Sequence, residues 1–286
     1  MTSVGTALME ATARLRPFSP SARLDAELLL AHVLGVGRAQ VVAGLREELS
    51  EQVCEQFVAL TARRADLEPV AYLTGEREFY GMMLYVDRRV LVPRPETELL
   101  VDLALRAARS APRKDLRVAD IGTGSGAIAV AIAAHLPEAR VLATDLSIDA
   151  LDVARRNIQR HGLGERIILL HGAGLGVLPG QVDLLLSNPP YTVLAEVDEN
   201  VRRHEPHLAL DAGPEGLAVI RELIVDAPRY LDHGTMLIEI AAWQGPAVVD
   251  LAVAAFPGAD IAVHRDLAGL DRVLEIRVSE MSEPVA

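Results

Sequence analysis

The chain has 286 residues, 50% of them hydrophobic, and a formal net charge of −12. A chain of this length can bury a full core and is expected to divide into two domains. Its negative charge opposes binding to a polyphosphate backbone, and no run of Lys or Arg offers a local basic patch. We therefore expect no direct nucleic-acid partner.

Cysteine and histidine are too sparse to indicate a metal centre. Cys54 is the only cysteine, which excludes disulfide frameworks and thiolate metal sites. His204 and His207 have the spacing of a metal-binding pair, but Pro206 lies between them and nearby partners are lacking. We interpret both as loop histidines and predict no metal.

The sequence shows no targeting or membrane segment. The first 20 residues lack a basic start followed by an apolar core. No apolar run approaches the ~20 residues that a membrane-spanning helix requires. We expect a cytoplasmic, monomeric protein without a membrane partner.

The first 75 residues are predicted to form a helical domain. One helix is expected from Ser21, as its N-cap, to about Leu34, and Gly35 would end it. A second helix is expected after the cap Ser50. Neither segment carries a plausible catalytic group, so the apolar stripes are interpreted as core packing. These stripes are Leu24, Leu28 and Ala31 in the first helix, and Val53, Phe57 and Leu60 in the second.

Residues 76–95 are predicted to form a β-hairpin linker. The stretch from Phe79 to Val92 is rich in aromatic and branched residues and contains Gly81 near its start. The hexamer Pro93-Arg94-Pro95-Glu96-Thr97-Glu98 then leads into a helix over 99–108. Proline and acidic residues suit the first turn of a helix, so much of the hexamer has a purely structural explanation.

From residue 96 to 286 short apolar strands alternate with helices, which predicts an α/β domain with a mostly parallel sheet. The last two strands are separated only by a short turn, so we expect them to pair antiparallel. The predicted strands are 116–121, 139–145, 166–171, 182–188, 235–240, 261–265 and 271–278.

Three polar residues fall at the carboxyl ends of predicted strands, where parallel sheets bind their ligands. They are Asp120, Asp145 and Asn188, and we expect them to converge on one site. The connection after Asn188 is longer than a simple crossover needs. Its stretch from Glu196 to Asp211 is therefore predicted to form a lid or a substrate wall.

A glycine-rich loop follows the first strand of this domain. It reads Gly122-Thr123-Gly124-Ser125-Gly126 and opens a helix over 127–134. Glycines there allow a ligand to approach backbone N–H groups at a helix N-terminus. The loop also matches a dinucleotide fingerprint, and such matches are sometimes simple glycine turns.

Asp145 ends the next strand, where a carboxylate can accept both hydroxyls of a ribose. Its alternative role is to cap the following helix. Ser147 can supply that cap itself, so we favour the role in ligand binding.

The most specific motif is Asn188-Pro189-Pro190-Tyr191, at the end of the apolar run 182–186. Two consecutive prolines fix φ and remove two N–H donors, while the residue before a proline is held extended. The turn thus offers an amide oxygen, a Pro189 carbonyl and an aromatic ring. Two fixed acceptors suit a planar –NH2 group, although Asn-Pro alone would usually be a turn.

Taken together, these motifs resemble the protein-(glutamine N5) methyltransferases that modify peptide-chain release factors. The resemblance spans essentially the whole chain. Its most specific parts are the hexamer 93–98 and the tetrapeptide 188–191, while the glycine loop 120–126 is shared with many methyltransferases. Glu205-Pro206, Ala209-Leu210 and Glu239-Ile240 also match.

The resemblance implies a class I, Rossmann-like S-adenosylmethionine-dependent methyltransferase domain with a seven-stranded, mostly parallel sheet. It implies a small helical N-terminal domain for substrate recognition and, as substrate, the glutamine of the Gly-Gly-Gln motif in class I release factors. The product of the methyl donor would be S-adenosylhomocysteine. The chain departs from the family at Gly172 and Ala173, where an acidic or aromatic residue often lies beside the adenine. It also departs at Ala241, where glycine is common, and at Leu270, where an arginine is often found.

From these motifs we assign residues to roles. The predicted catalytic residues are Asn188, Pro189 and Tyr191, and the substrate-binding residues are Asn188, Pro189, Pro190 and Tyr191. The predicted cofactor-binding residues are Gly122, Thr123, Gly124, Ser125, Gly126, Asp145 and Asn188.

Three alternatives remain open at this point. An adenine-N6 nucleic-acid methyltransferase would also use two coplanar N–H groups, but it needs a basic groove and an extruded base. A nicotinamide-dependent oxidoreductase would use the glycine loop and Asp145 but leaves the tetrapeptide 188–191 unexplained. A catalytically silent module that docks on release factors would not need an intact tetrapeptide.

Overall fold

The computed structural model describes residues 2–110 and 115–279. Its chain divides into two units, of which the smaller comprises Met1–Glu76 with Glu199–His204. The larger comprises Arg77–Asp198 with Glu205–Ala286. None of the helices within the described ranges is both long and apolar enough to cross a membrane.

The smaller unit is helical, with one short two-stranded sheet of β1 (Thr2–Ser3) and β2 (Glu48–Leu49). Side-chain caps start two of its helices, because Ser3 accepts a hydrogen bond from the Thr6 N–H and Ser50 accepts one from the Val53 N–H. Its helices are α1 (Val4–Leu15), α2 (Ala22–Leu34), α3 (Arg38–Ala43), α4 (Glu51–Ala65), α5 (Val70–Thr74) and the short helix Glu199–His204.

Helix α2 has the predicted extent and ends at Gly35, whose φ is +66°. Ser21 precedes the helix, but its hydroxyl donates to Asp25 Oδ1 at 3.0 Å and makes no capping bond to a backbone N–H. The prediction that Leu24 and Leu28 pack in the core is wrong. Their side chains are 40% and 36% exposed, respectively.

The face of α2 that is buried consists of Ala26, Leu29 and Leu30, together with the predicted Ala31. The run of apolar residues 28–31 covers more than one side of the helix, so spacing alone did not identify the buried face. In α4 the predicted stripe is confirmed. Phe57 is buried there, and Val53 and Leu60 pack against the same core.

A two-stranded sheet follows in the chain, formed by β3 (Glu76–Phe79) and β4 (Met82–Tyr85). The turn between them has positive φ at both Tyr80 (+53°) and Gly81 (+75°). Two such residues are typical of the type I′ hairpin turn. The hexamer 93–98 follows as an extended segment and a 3₁₀ turn, Pro95–Thr97.

The predicted seven-stranded α/β sheet is confirmed in the larger unit, and its strand order is β10-β11-β9-β8-β5-β6-β7. Pairs within β7-β6-β5-β8-β9 are parallel, whereas β11 runs antiparallel to both β9 and β10. The strands are β5 (Arg117–Ile121), β6 (Arg140–Asp145), β7 (Ile167–His171), β8 (Leu184–Ser187), β9 (Gly234–Glu239), β10 (Asp260–Arg265) and β11 (Asp271–Val278).

Helices cover both faces of this sheet. With Glu199–His204 counted as α9, the larger unit contributes α6 (Glu98–Ser110), α7 (Ala127–His135), α8 (Ile148–Arg160), α10 (Ala218–Asp226) and α11 (Gly245–Ala255). Alternate strand residues enter opposite cores: Val118 and Leu184 join the core with α6, α7 and α8, whereas Ala119 and Leu185 join the core with α10 and α11.

The strand order reverses between β5 and β8. From β5 the chain continues outward through β6 and β7, and from β8 it continues in the other direction to β9. A crevice forms at the carboxyl ends of the strands at such a point, and ligands of open α/β sheets bind there. The topology thus places the ends of β5, β6 and β8, which carry the predicted site residues, at this crevice.

Candidate active site

A cavity of about 600 Å³ lies at this carboxyl edge, within the larger unit. Its volume falls in the range of roughly 300–1,000 Å³ that is typical of small-molecule sites. The predicted site residues that line it are Gly122, Thr123, Gly124, Ser125, Asp145, Asn188, Pro189 and Pro190. Gly126 and Tyr191 are not among the lining residues.

The glycines of the loop serve two different purposes. Gly122 and Gly124 have φ of +73° and +55°, and a Cβ added to either would meet no atom closer than 4.0 Å. Their missing side chains therefore leave open space where a ligand can approach the backbone. At Gly126 a Cβ would lie 3.3 Å from Ala154, so this glycine allows α7 to pack closely on α8.

Asp145 ties the loop to the end of β6. Its Oδ2 accepts a hydrogen bond from the Gly124 N–H at 2.8 Å, and its Oδ1 accepts one from the Ser147 N–H at 2.9 Å. Ser147 caps α8 through the Ala150 N–H, as expected. Burial raises the pKa of Asp145, while these backbone donors oppose the rise. Asp145 therefore lines the cavity in a fixed orientation.

Asp120 lies beneath the loop and does not line the cavity. It is 0% exposed, and its Oδ2 accepts from the Thr123 hydroxyl at 2.6 Å and from the Ala129 N–H at 3.1 Å. Its Oδ1 has no hydrogen-bond partner among the residues that the structure describes. Burial raises the pKa of Asp120 to about 7. Of the three strand-end residues expected to converge, two face the cavity and Asp120 supports the loop.

The tetrapeptide 188–191 follows directly after β8. Asn188 donates from Nδ2 to Thr97 Oγ1 at 3.0 Å, and Thr97 also lines the cavity. Tyr191 instead donates its hydroxyl to Glu239 Oε1 at 3.0 Å and packs partly against the core beneath α10 and α11. The predicted catalytic role of Tyr191 stays a prediction.

Glu239 is a functional candidate to which the residue pattern gave no role. It is 0% exposed at the end of β9, and burial raises its pKa. Tyr191 and the Thr97 hydroxyl oppose that rise, as does the positive charge of Arg272. Glu239 Oε2 has no hydrogen-bond partner within the described part of the chain. A carboxylate that ends an otherwise apolar strand is the signal that could have revealed it.

A third buried carboxylate holds the hexamer 93–98. Glu205 Oε1 accepts from Arg94 Nη2 at 2.6 Å, and Oε2 accepts from the Val92 N–H at 3.0 Å. Buried charges need such pairing to offset the loss of hydration. The two bonds fix the segment that leads to Thr97.

Only part of the predicted lid lines the cavity. Pro206, Leu208 and Ala209 form a section of its wall. Glu199–His204 belongs to the helical unit, where Arg203 Nη2 lies 3.0 Å from Asp66 Oδ1. Gly172 and Ala173 line another section of the wall, so the cavity has no large side chain at these two positions. Across residues 2–110 and 115–279, no group of three or more His, Cys, Asp or Glu could hold a metal ion.

Comparison with known proteins identifies the class and then the family. Residues 97–205 match the model of the methyltransferase small domain, and residues 6–75 match that of the PrmC N-terminal domain. The crystal structure of a methyltransferase from Pyrococcus furiosus shares the fold, with a TM-score of 0.52 at 17% identity over 76% of this chain and 97% of that one. The fold is thus that of a class I methyltransferase.

Two full-length relatives identify the family. The release factor glutamine methyltransferase of Chlorobaculum tepidum is 44% identical over 88% of this chain and 89% of its own. That of Deinococcus radiodurans is 41% identical over 94% of this chain and 96% of its own. The chain belongs to the release factor glutamine methyltransferase family.

Replacing Asp120 by Asn tests the protonation of the buried carboxyl. A pKa raised from 3.8 to about 7 means that the folded protein holds the proton more tightly than the unfolded chain. Wild-type stability therefore falls through this contribution as pH rises from about 4 to about 7. Asn keeps an acceptor oxygen and cannot ionise. We expect the free energy of unfolding of D120N, relative to wild type, to rise by up to about 4 kcal/mol over this range.

Urea unfolding at several pH values measures this difference, with the exposed-site variant D152N as control. A D120N-minus-wild-type difference that stays constant from pH 4 to pH 7 would contradict the assignment.

Proposed function

We propose that the protein transfers a methyl group from S-adenosylmethionine to the side-chain amide nitrogen, N5, of the glutamine in the Gly-Gly-Gln motif of class I release factors. The carbon–sulfur bond of the donor breaks as the carbon–nitrogen bond forms, which yields S-adenosylhomocysteine, and one proton leaves the amide nitrogen. The observation that carries the proposal is that Asn188, Pro189 and Pro190 line the same cavity as the glycine loop and Asp145. Membership of the family supports the choice of substrate.

The lining of the cavity suits S-adenosylmethionine. Gly122 and Gly124 leave backbone open to a ligand, and Asp145 presents a carboxylate that can accept ribose hydroxyls. Asp149 and Glu222 add carboxylates to the wall, which Arg88 and Arg89 also line. When bound, this cofactor supplies a methyl group that is already activated by the positive charge on its sulfur.

The task left to the protein is to position the substrate amide. A carboxamide nitrogen is a poor nucleophile because its lone pair is delocalised into the carbonyl. Asn188 Oδ1 and the Pro189 carbonyl would accept the two N–H bonds and increase electron density on the nitrogen. The Tyr191 ring would pack on the flat amide. Alignment of this kind can supply up to about 7–11 kcal/mol of a reaction barrier.

The rest of the chain serves this site. We propose that residues 1–75 recognise the release factor, that 76–95 act as a hairpin linker and that 96–286 catalyse the transfer. A cytoplasmic monomer would meet this substrate directly, because release factors act in translation.

Methyl transfer to a release factor tests the proposal directly. With S-adenosylmethionine labelled in its methyl group, we expect label in a release factor and none in a variant whose Gly-Gly-Gln glutamine is alanine. Mass spectrometry would place the added methyl group on that glutamine. Equal labelling of both proteins would overturn the substrate assignment, and labelling of an adenine-containing oligonucleotide instead would favour a nucleic-acid methyltransferase.

Asp145→Ala tests the cofactor site. Loss of the carboxylate removes the proposed ribose acceptor and releases the Gly124 N–H. We expect the Kd for S-adenosylmethionine to rise by about 10-fold or more, equivalent to about 1.4 kcal/mol. Calorimetric titration measures it, with D152A as control because Asp152 lies on the exposed side of α8. An unchanged Kd for D145A would remove Asp145 from the site.

A further inference from the structure

We propose that Thr97, supported by Glu239, is a positioning residue that fixes which end of the Asn188 carboxamide faces the cavity. This inference rests on the proposed function and deepens it. Neither residue needs to touch the reacting atoms. Their role is to keep Asn188 Oδ1, an acceptor, available to the substrate.

The two ends of an asparagine carboxamide are nearly the same in size but opposite in hydrogen bonding. With Nδ2 facing the cavity, Asn188 would present donors to a substrate amide that also presents donors. The structure has Nδ2 directed to Thr97 Oγ1 at 3.0 Å. The orientation of Asn188 therefore decides whether the cavity can accept an –NH2 group.

The Thr97 hydroxyl could in principle stabilise either orientation, because it can donate or accept. The Glu239 carboxylate removes this freedom. Burial raises the pKa of Glu239, and the Thr97 and Tyr191 hydroxyls oppose that rise because they favour the ionised form. An ionised carboxylate only accepts hydrogen bonds. Once the single hydroxyl proton is directed to Glu239, Thr97 Oγ1 is left as an acceptor for Asn188 Nδ2.

Burial makes this chain of interactions selective. Thr97 is 4% exposed and Glu239 is 0% exposed, so water has little access to replace a missing partner. Glu239 Oε2 has no hydrogen-bond partner in the described residues, which leaves it capacity to attract a donor. The nearby charge of Arg272 favours ionised Glu239, while Glu96 opposes it.

Three separate segments bring these residues together. The parallel register pairs Ser187 of β8 with Ile238 of β9, so Asn188 and Glu239 follow at neighbouring strand ends. Thr97 comes from the 3₁₀ turn Pro95–Thr97. The Tyr191 hydroxyl donates to the same carboxylate at 3.0 Å. Glu239 thus accepts a hydrogen bond from one end of the tetrapeptide 188–191. Thr97, which accepts a hydrogen bond from the other end, lowers the pKa of Glu239.

The test compares Thr97→Val, which keeps the shape and removes the hydroxyl, with Thr97→Ser, which keeps the hydroxyl. In the full-length protein with a release factor as substrate, we expect T97V to lower kcat by about 10- to 100-fold. The Kd for S-adenosylmethionine should stay within about 3-fold, because Asp145 is untouched. T97S should retain kcat to within about 3-fold of wild type.

Glu239→Gln provides a second, independent arm. It replaces one acceptor oxygen by a donor, so the proton of Thr97 is no longer directed to one side, and kcat should fall. Both substitutions disrupt the same series of interactions, from Glu239 through Thr97 to Asn188. T97V should therefore lower kcat little further in the E239Q background. If T97V folds poorly, the kcat values of E239Q and T97S relative to wild type still test the inference.

Wild-type kcat in T97V, or equal losses in T97V and T97S, would overturn the inference. If the fold-loss of kcat in the T97V/E239Q double variant equals the product of the two single losses, the inference is also overturned, because the two residues would then act independently. Failure of the proposed function is distinguishable from these outcomes, since the wild-type protein would then leave the glutamine unmethylated.

Discussion

The proposed chemistry depends above all on a polar group with a fixed direction at the end of β8. Asn188 sits between a buried strand and two prolines, so its backbone is held extended with little freedom. Its side chain is fixed separately, by the bond from Nδ2 to Thr97 Oγ1. Under the proposed function, these two constraints would allow acceptors alone to bind a neutral amide.

Carboxylates organise the surroundings of this group. Asp120 supports the glycine loop, Asp145 joins the loop to β6, Glu205 holds the hexamer 93–98, and Glu239 accepts a hydrogen bond from Tyr191. Each has at least one donor partner, as buried acids require. The net charge of −12 disfavours a polyphosphate substrate.

Much of the fold could be predicted because the sequence patterns that indicate strands, helices and turns are local. The alternation of short apolar strands and helices predicted the parallel sheet, and the short turn between the last two strands predicted their antiparallel pairing. The strand ends also predicted that Asp145 and Asn188 would share a cavity. Strand boundaries differ by at most two residues from those expected.

What the residue pattern missed depends on packing between distant segments. Leu24 and Leu28 were assigned to the core, but in the structure another side of α2, with Leu29 and Leu30, packs against the core. The close packing of Gly126 against Ala154 was not foreseen, and the assignment of Gly126 to the cofactor stays a prediction. The position of Glu239 beside Tyr191 depends on the pairing of β8 with β9, which joins residues far apart in the chain.

A crystal structure of the protein with S-adenosylhomocysteine and a Gly-Gly-Gln peptide is the most direct measurement. It should place the glutamine side-chain nitrogen within about 3 Å of both Asn188 Oδ1 and the Pro189 carbonyl oxygen, with Asn188 Nδ2 still on Thr97. A glutamine bound elsewhere, or an Asn188 amide turned with Nδ2 toward the substrate, would contradict the account.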